Sequence, residues 1–510
     1  MLLEALIVAT LLAAGVVFLA PDRYAGRLAF WLSLLPLAGS LWLFLAFDGS
    51  GNALVVGADV AFETDVQWFA LTDLYTLNWH VGLDGISLPL VVLSTVLTTL
   101  AIVSAWTPID ERQSQFYGLV LFLEAALIGV FCALDFFVWF VFWEAVLIPM
   151  YLLIGVWGGA RRKYAAIKFF VYTNIASLVM FIGFVALVFG LGDAVGSFDM
   201  VDVAQALAVT EPDAVGWIDA GTLKAAAFAA MFVGFAVKVP IVPFHTWLPD
   251  AHVEAPTPAS ILLAGVLLKM GTYALLRFNF TMLPEQAIAF AEIIAVVAVV
   301  SVIYGAMLAL AQRDLKRIVA YSSVSSMGYV ILGLMALTLY GVGGATFQMV
   351  AHGLISGLLF MLVGIIYNET HTRMVSDIAG LADRMPLTVA GFVAGAFAYM
   401  GLPLMAGFAG EFFIFVGSFG SEHLPASHVV TPAAMFGIVV VAGYYLWAMQ
   451  RTFFGPYELA DGHDVGVAPI HDLLAVGVLL GLIVLLGVAP DLIFDMIRDA
   501  TAPILPGGGA

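Results

Sequence analysis

Fourteen segments of this chain are long and apolar enough to be read only as membrane-spanning helices. They lie near 2–20, 25–47, 86–106, 116–134, 135–157, 164–191, 222–245, 258–279, 284–310, 318–340, 342–368, 388–418, 430–454 and 471–496. About 20 apolar residues at roughly 1.5 Å rise cross a bilayer core. Inside hydrocarbon the backbone must satisfy its own hydrogen bonds, and a helix does so within one segment. The fold expected is an all-α polytopic membrane protein. Composition agrees, with 63% of residues hydrophobic and 11% charged, far from soluble usage. The single cysteine, Cys132, leaves no disulfide framework and no thiolate cluster for zinc or iron–sulfur ligation. Any redox chemistry must therefore belong to a partner, and no cofactor or metal centre is expected in this chain. The first segment carries Glu4 in place of a basic run and leads into Pro21-Asp22-Arg23 without a small-residue cleavage pattern, so it is expected to stay as a helix.

Twelve of the eighteen basic residues fall at one set of segment ends: Arg23, Arg27, Arg112, Arg161, Arg162, Lys163, Arg313, Lys316, Arg317, Arg373, Arg384 and Arg451. Only Arg277 and Arg498 fall on the opposite face, with Lys224 interfacial at the outer end of the seventh span. Basic residues collect on the cytoplasmic side, so both termini are expected on the periplasmic side of a bacterial inner membrane. The net charge of -18 comes from acids concentrated in two outer stretches, Asp48 to Asp84 and Asp193 to Asp219, which read as an acidic solvent-facing surface.

Two spans are interrupted. The seventh reads Lys238-Val239-Pro240-Ile241-Val242-Pro243, and each proline removes a backbone donor and clashes one turn back. The twelfth carries Gly401-Leu402-Pro403, then Gly407 and Gly410 before Glu411. The interruptions are five spans apart, and an odd-numbered repeat unit inserts upside down relative to its twin. Spans four to eight and nine to thirteen are thus expected as two inverted five-helix repeats, each with a broken helix, an architecture that places ion sites near the midplane. The expected divisions are 1–115, an N-terminal three-helix segment with an acidic outer loop; 116–280, the first repeat and uptake half-channel; 281–455, the second repeat and exit half-channel; and 456–510, a C-terminal helix and short tail.

Charged side chains inside such spans are costly, roughly 2.5–3.5 kcal/mol at the centre on insertion scales, and are usually paired, wet and functional. Glu144, Lys238, Lys269 and Glu411 are the candidates for moving protons. His245 and His252 stand at the cytoplasmic end of the broken seventh span, where titration near neutrality suits proton uptake and a hydrogen-bonded loop histidine is the plainer alternative. No His-x-x-x-His helix or cysteine pair accompanies them, which argues against a metal. His352 lies mid-span as a relay candidate. Glu124 serves either as a relay or as a packing hydrogen bond between helices, and Lys168 either relays or extends to the cytoplasmic interface. A small-solute carrier is disfavoured, because these groups form a chain of protonatable side chains without an evident substrate pocket.

The runs Leu83-Asp84-Gly85-Ile86-Ser87, Phe142-Trp143-Glu144-Ala145-Val146-Leu147-Ile148-Pro149-Met150, His245-Thr246-Trp247-Leu248-Pro249-Asp250-Ala251-His252, Glu254-Ala255-Pro256-Thr257 and Leu315-Lys316-Arg317-Ile318-Val319-Ala320-Tyr321-Ser322-Ser323 closely resemble the antiporter-like subunits of respiratory complex I, in particular the subunit 4 or chain M class. The resemblance implies a proton-translocating subunit of NADH:quinone oxidoreductase that sits between two related subunits and carries no cofactor. NADH, FMN, iron–sulfur clusters and quinone would belong to partners. It implies that Glu144 pairs with Lys238, that Lys269 is the central relay and that Glu411 lies on the exit path. Sister subunits usually carry lysine in the twelfth span, so Glu411 favours this class over a subunit of a multisubunit sodium/proton antiporter or a membrane-bound hydrogenase. The short tail after the last span argues against the subunit 5 class. One departure stands out: where the family commonly has histidine, Ser323-Val324-Ser325-Ser326-Met327-Gly328 has Ser326.

Overall fold

The computed structural model describes residues 1–506 apart from 50, 56–59, 73, 461, 463 and 464. Among the described residues, twelve helices are long and apolar enough to cross a membrane. The remaining two of the fourteen expected spans are the short first helix and the broken twelfth. The N-terminal helices are α1 (Leu2–Phe18), α2 (Asp22–Leu45) and α3 (Ser87–Ser104). Next come α4 (Gln113–Cys132), α5 (Phe136–Ala145) continued by α6 (Leu147–Trp157), α7 (Arg162–Leu191), the short outer helix α8 (Met200–Val209), and α9 (Ala220–Lys238) with its second half α10 (Trp247–Glu254). The eighth span runs from α11 (Thr257–Leu262) through π-helical turns at Leu263–Leu267 into α12 (Leu268–Ala274), then further π turns at Leu275–Thr281. The second set is α13 (Pro284–Leu310), α14 (Leu315–Met335), α15 (Leu339–Thr370), the halves α16 (Pro386–Tyr399) and α17 (Ala406–Phe419), and α18 (Ser427–Phe453).

The broken helix is thus the fourth crossing of each set. At the first break Trp247 Nε1 donates to the Val237 carbonyl at 2.8 Å, and Ser301 Oγ accepts from Val242 N at 2.9 Å. Side chains therefore satisfy backbone groups that the prolines leave without helical partners, which is what makes a break tolerable at membrane depth. At the second break Gly401 takes φ +72°, a left-handed conformation that glycine adopts without a Cβ penalty.

Burial divides the helices by role. The eighth span and α15 are buried throughout their apolar windows, whereas α2 is buried over only 28% of its window and presents the rest outward. The fully enclosed spans are the ones that hold Lys269 and His352. On the basic face, Asp250 of α10 receives Lys168 of α7 at 2.7 Å and Arg317 of α14 at 3.3 Å, tying the first broken helix to both sets.

Three outer features differ from the expectations. The acidic stretch before α3 forms a hairpin, β1 (Ala61–Ala70) antiparallel to β2 (Thr76–Leu83), with Ala61 opposite Leu83 and Ala70 opposite Thr76. Thr76 N donates to Gly196 O at 2.9 Å and His80 Nδ1 meets Asp199 Oδ2 at 2.5 Å, so the two acidic stretches fold onto each other; Asp84 and Asp199 are buried there, while Asp48, Glu63, Asp65, Asp193, Asp202, Glu211, Asp213 and Asp219 are exposed, as an acidic solvent-facing surface requires. Arg277, expected on the outer face, is 1% exposed and paired at 2.6 Å with Asp84. The last span is shorter than 471–496: α19 (Ile470–Val488) stops at Ala489-Pro490, and α20 (Asp491–Thr501) packs against α15. Proline there lacks the donor that a continuing helix needs.

Candidate functional site

Glu144 sits on α5, whose first turn is capped by Asp135 accepting from Phe137 N at 2.9 Å. One Glu144 oxygen accepts from Asn174 Nδ2 at 3.1 Å, and the other is buried without a hydrogen-bond partner among the described residues. The adjacent Trp143 is fixed by its indole N–H donating to Ser177 Oγ at 2.9 Å. Over its ring, 4.9 Å from the centroid, lies Lys238 Nζ. Lys238 is the last residue of α9, where the carbonyl end of the helix dipole favours a cation, and the aromatic face adds to that. It is 2% exposed and its ammonium has no hydrogen-bond partner among the described residues. Glu144 lies within electrostatic reach of Lys238, with no ion pair within 4.0 Å between them.

Lys269, fully buried on α12, donates to the Ala264 carbonyl and meets His352 Nδ1, both at 2.5 Å. Ala264 belongs to the π-helical turn, whose altered hydrogen-bonding register accompanies a carbonyl turned to the lysine, and such turns recur at functional sites. Small residues bring the helices together. A Cβ on Gly271 would stand 3.1 Å from Lys238 Cβ, and one on Gly353 would stand 2.8 Å from Gly265 O. The end of α9, the eighth span and α15 thus approach at backbone distance.

Beyond His352, its ring edge meets Tyr399 at 5.7 Å between centroids, and its Nε2 is buried without a partner among the described residues. A narrow crevice follows, lined by Ser326, Gln348, His352, Tyr399 and Glu411, and it has no void large enough for a water molecule. Glu411 on α17 is 5% exposed, and its Oε2 lies 3.0 Å from where a Cβ on Gly401 would be. Ser326, where the resemblance led to an expectation of histidine, therefore lines the gap between His352 and Glu411.

The other candidates separate. His252 is fully buried and stacked on Phe360, with centroids 4.4 Å apart and planes 9° apart. Neither of its nitrogens has a partner among the described residues, and it lies within electrostatic reach of Lys316 and Lys269. His245 contacts the rings of Tyr304 and Tyr321 at the break. Lys168 binds Asp250 and the Thr246 carbonyl, holding the half-helix in place on the basic face. Glu124 is fully buried on α4 with both oxygens unpartnered among the described residues, and the row from Glu144 to Glu411 is built without it.

Sequence reasoning missed Lys316, counted as an interfacial cation but only 5% exposed, its Nζ donating to Ala255 O at 2.5 Å. Lys316 lies two residues before the expected span 318–340, in the charged run Arg313-Asp314-Leu315-Lys316-Arg317, and nothing in that run marks it as enclosed. On the outer face, Asp65, His80 and Asp199 place ligand atoms within 4.8 Å of one another. Both imidazole nitrogens of His80 are engaged, by Asp199 at 2.5 Å and by Glu63 at 3.0 Å. Burial works against a charge on His80, but the Asp199 hydrogen bond and the neighbouring carboxylates prevail and raise it to about 9, making this an ion-paired latch.

The sequence matches the pattern of the NADH:quinone oxidoreductase/Mrp antiporter transmembrane family over residues 133–437. It is 39% identical to the F(420)H(2) dehydrogenase subunit M of Methanosarcina mazei over 98% of this chain and 97% of that one. It is 38% identical to the NADH-quinone oxidoreductase subunit M of Rhodobacter capsulatus over 95% of this chain and 91% of that one. Among solved structures, a chain of respiratory complex I from Thermus thermophilus superposes with TM-score 0.85 at 27% identity, covering 99% of this chain and all of that chain.

Proposed function

Since the chain belongs to the NADH:quinone oxidoreductase/Mrp antiporter transmembrane family, we propose that it is a proton-translocating membrane-arm subunit of a NADH:quinone oxidoreductase. The observation that carries this reading is the row of the half-buried Glu144 and the buried Lys238, Lys269, His352 and Glu411, which passes from the first set of helices into the second and contains both breaks. Two relatives of nearly equal identity are named for different electron donors, F(420)H(2) and NADH. What such chains hold in common is the membrane part of the work, and in this reading the redox groups and quinone belong to partner subunits. Two related antiporter-like subunits would flank this one in a bacterial inner membrane. The concentration of arginine and lysine on one face supports a cytoplasmic assignment for that face and periplasmic termini.

The steps follow from electrostatics in a low-dielectric interior, where an attraction across several ångströms is far stronger than in water. While the Glu144 carboxylate is near, it stabilises the ammonium of Lys238. Movement of α5 against α9 weakens that attraction, and the proton passes to a neutral Lys269. Lys269 is already in contact with His352 Nδ1, so imidazole takes the proton on that nitrogen and releases the one on Nε2 toward the crevice. Because the crevice has no room for water as packed, delivery to Glu411 requires it to widen, and Ser326 and Tyr399 are the polar groups positioned to line the opened path. Exit from Glu411 follows beside the break at Gly401.

The test is Glu144→Gln in inverted membrane vesicles, with NADH-driven proton uptake and quinone reduction recorded together. Loss of both in an assembled complex is the expected result. Both persisting while sodium/proton exchange disappears would move the chain to the antiporter branch, and no change at all would make Glu144 structural.

A further inference from the structure

An ammonium carries only donors, and that of Lys238 has no hydrogen-bond partner among the described residues. What faces it is the indole of Trp143, with Nζ 4.9 Å from the ring centroid. The indole is 1% exposed, and its neighbours fix its plane: Trp139 lies 4.8 Å away between centroids, and Phe235, one turn before Lys238 on α9, meets it edge-on at 5.8 Å and 74°. Its N–H donates to Ser177 Oγ of α7 at 2.9 Å. One turn away on the same side of α7, Asn174 Nδ2 donates to Glu144 at 3.1 Å. These two bonds attach α5 to a helix that is itself packed tightly on α9. A Cβ on Gly234 of α9 would stand 2.8 Å from Ala176 O, and one on Gly183 of α7 would stand 2.8 Å from Ala230 Cβ, so the two backbones touch and have little room to slide. Movement of α5 against α9 therefore runs through the Asn174 and Ser177 contacts. Because Trp143 and Glu144 are consecutive, it carries ring and carboxylate away from Lys238 together.

The face of an indole is electron-rich, and a cation held over it out of water gains more than it would at an exposed site. We propose that Trp143 is a second holder of the Lys238 cation, acting through the charge of its ring face and set in place by Ser177, so that one displacement of α5 removes both stabilising groups. The inference rests on the reading of Lys238 as a proton relay. In the closed arrangement carboxylate and ring hold the ammonium. In the withdrawn one neither does, and an N–H bond of Lys238 breaks as one forms on neutral Lys269; the amine left behind needs no counter-charge. Two holders on one helix make release sharper than either alone, since both losses arrive in the same movement.

The test uses the assembled complex in inverted vesicles, with tryptophan analogues carrying increasing numbers of ring fluorines placed at position 143 by nonsense suppression. Fluorine draws charge from the ring face while changing its size little, so packing is kept and the hold on a cation weakens stepwise. NADH-driven proton uptake should fall with each added fluorine, to roughly 30-fold below the parent in the most substituted ring, the factor equivalent to a desolvated cation–π contact. Uptake that stays level across the series makes the ring a packing group and overturns the proposal. A second arm tests the positioning role of Ser177. Ser177→Ala leaves the indole N–H unheld and should lower uptake by itself, yet add nothing in the Trp143→Phe background, which has no N–H to hold. Additive losses would overturn that role. Lys238→Met run in parallel separates the two readings. If it loses pumping while the fluorine series stays level, the row stands and the aromatic holder falls; if it pumps normally, the row itself is wrong.

Discussion

Arg277 and Asp84 give the sharpest quantitative expectation. The two side chains are each 1% exposed and joined at 2.6 Å, and Arg277 also donates to Asn52 Oδ1 at 3.1 Å while Asn52 donates to Ala500 O at 3.1 Å. One clasp therefore holds the loop before α3, the eighth span and α20. Burial alone would push the Asp84 carboxyl up, but the Arg277 guanidinium and the amides of Ala53 and Ser87 hold it below the usual range. Replacing Arg277 with Met strands that carboxylate, and breaking such a buried pair costs about 3–5 kcal/mol. Ordinary domains gain roughly 2.1 cal/mol/K of unfolding entropy per residue, which for a chain of 510 residues is about 1.1 kcal/mol/K, so the unfolding midpoint should fall by about 3–5 °C. Asp84→Asn should cost a comparable amount. The double variant Asp84→Asn/Arg277→Met should recover more than half of either loss, because no charge is left unpaired. The assay is heating of the purified chain in detergent with a thiol-reactive dye: Cys132, the one cysteine, is fully buried and reports opening when it reacts. Single variants that unfold with the parent, or a double variant that loses the sum of the two, would refute the reasoning.

Two other outcomes follow. Gly401→Ala forces a side chain into a left-handed conformation, a cost of about 1–2 kcal/mol, and drives its Cβ against Glu411 Oε2; proton pumping should fall in vesicles, whereas Gly443→Ala, with open space around it, should pump normally. The His80 latch stabilises the outer hairpin fully below the imidazole's ordinary value near 6.5 and loses that contribution as pH rises through about 9. Hydrogen exchange of β1 and β2, corrected for the intrinsic pH dependence, should therefore accelerate between neutral pH and pH ~10, and His80→Gln should remove that dependence.

Much of this architecture was legible because the bilayer imposes rules that act on sequence directly. Segment length, prolines at the breaks and the placement of arginine and lysine each reflect one physical constraint, and the charges Glu144, Lys238, Lys269 and Glu411 stood out against apolar surroundings. What escaped was decided by tertiary packing. The hairpin at 61–83 lies in a segment marked in the sequence only by its acids, and its inner strand β2 is held by contacts with Gly196 and Asp199 more than a hundred residues away. The π turns around Lys269 leave apolar periodicity unmarked, since every residue of that span is enclosed and no polar face remains to set a phase. Arg277 and Lys316 were read as interfacial because they lie near span ends. Depth along a helix is legible in sequence, but enclosure by neighbours is not.

The tight crevice between His352 and Glu411 has a consequence for the energised membrane at rest. A potential of about 100 mV pulls each proton back with about 2.3 kcal/mol, and a permanently wetted wire through this chain would short-circuit it. With no water-sized void in the crevice, the second half of the proposed route would act as an electrical insulator that conducts only while the protein works it open. Slackening it, by Tyr399→Ala for instance, should leave a membrane that still oxidises its donor but no longer holds its charge.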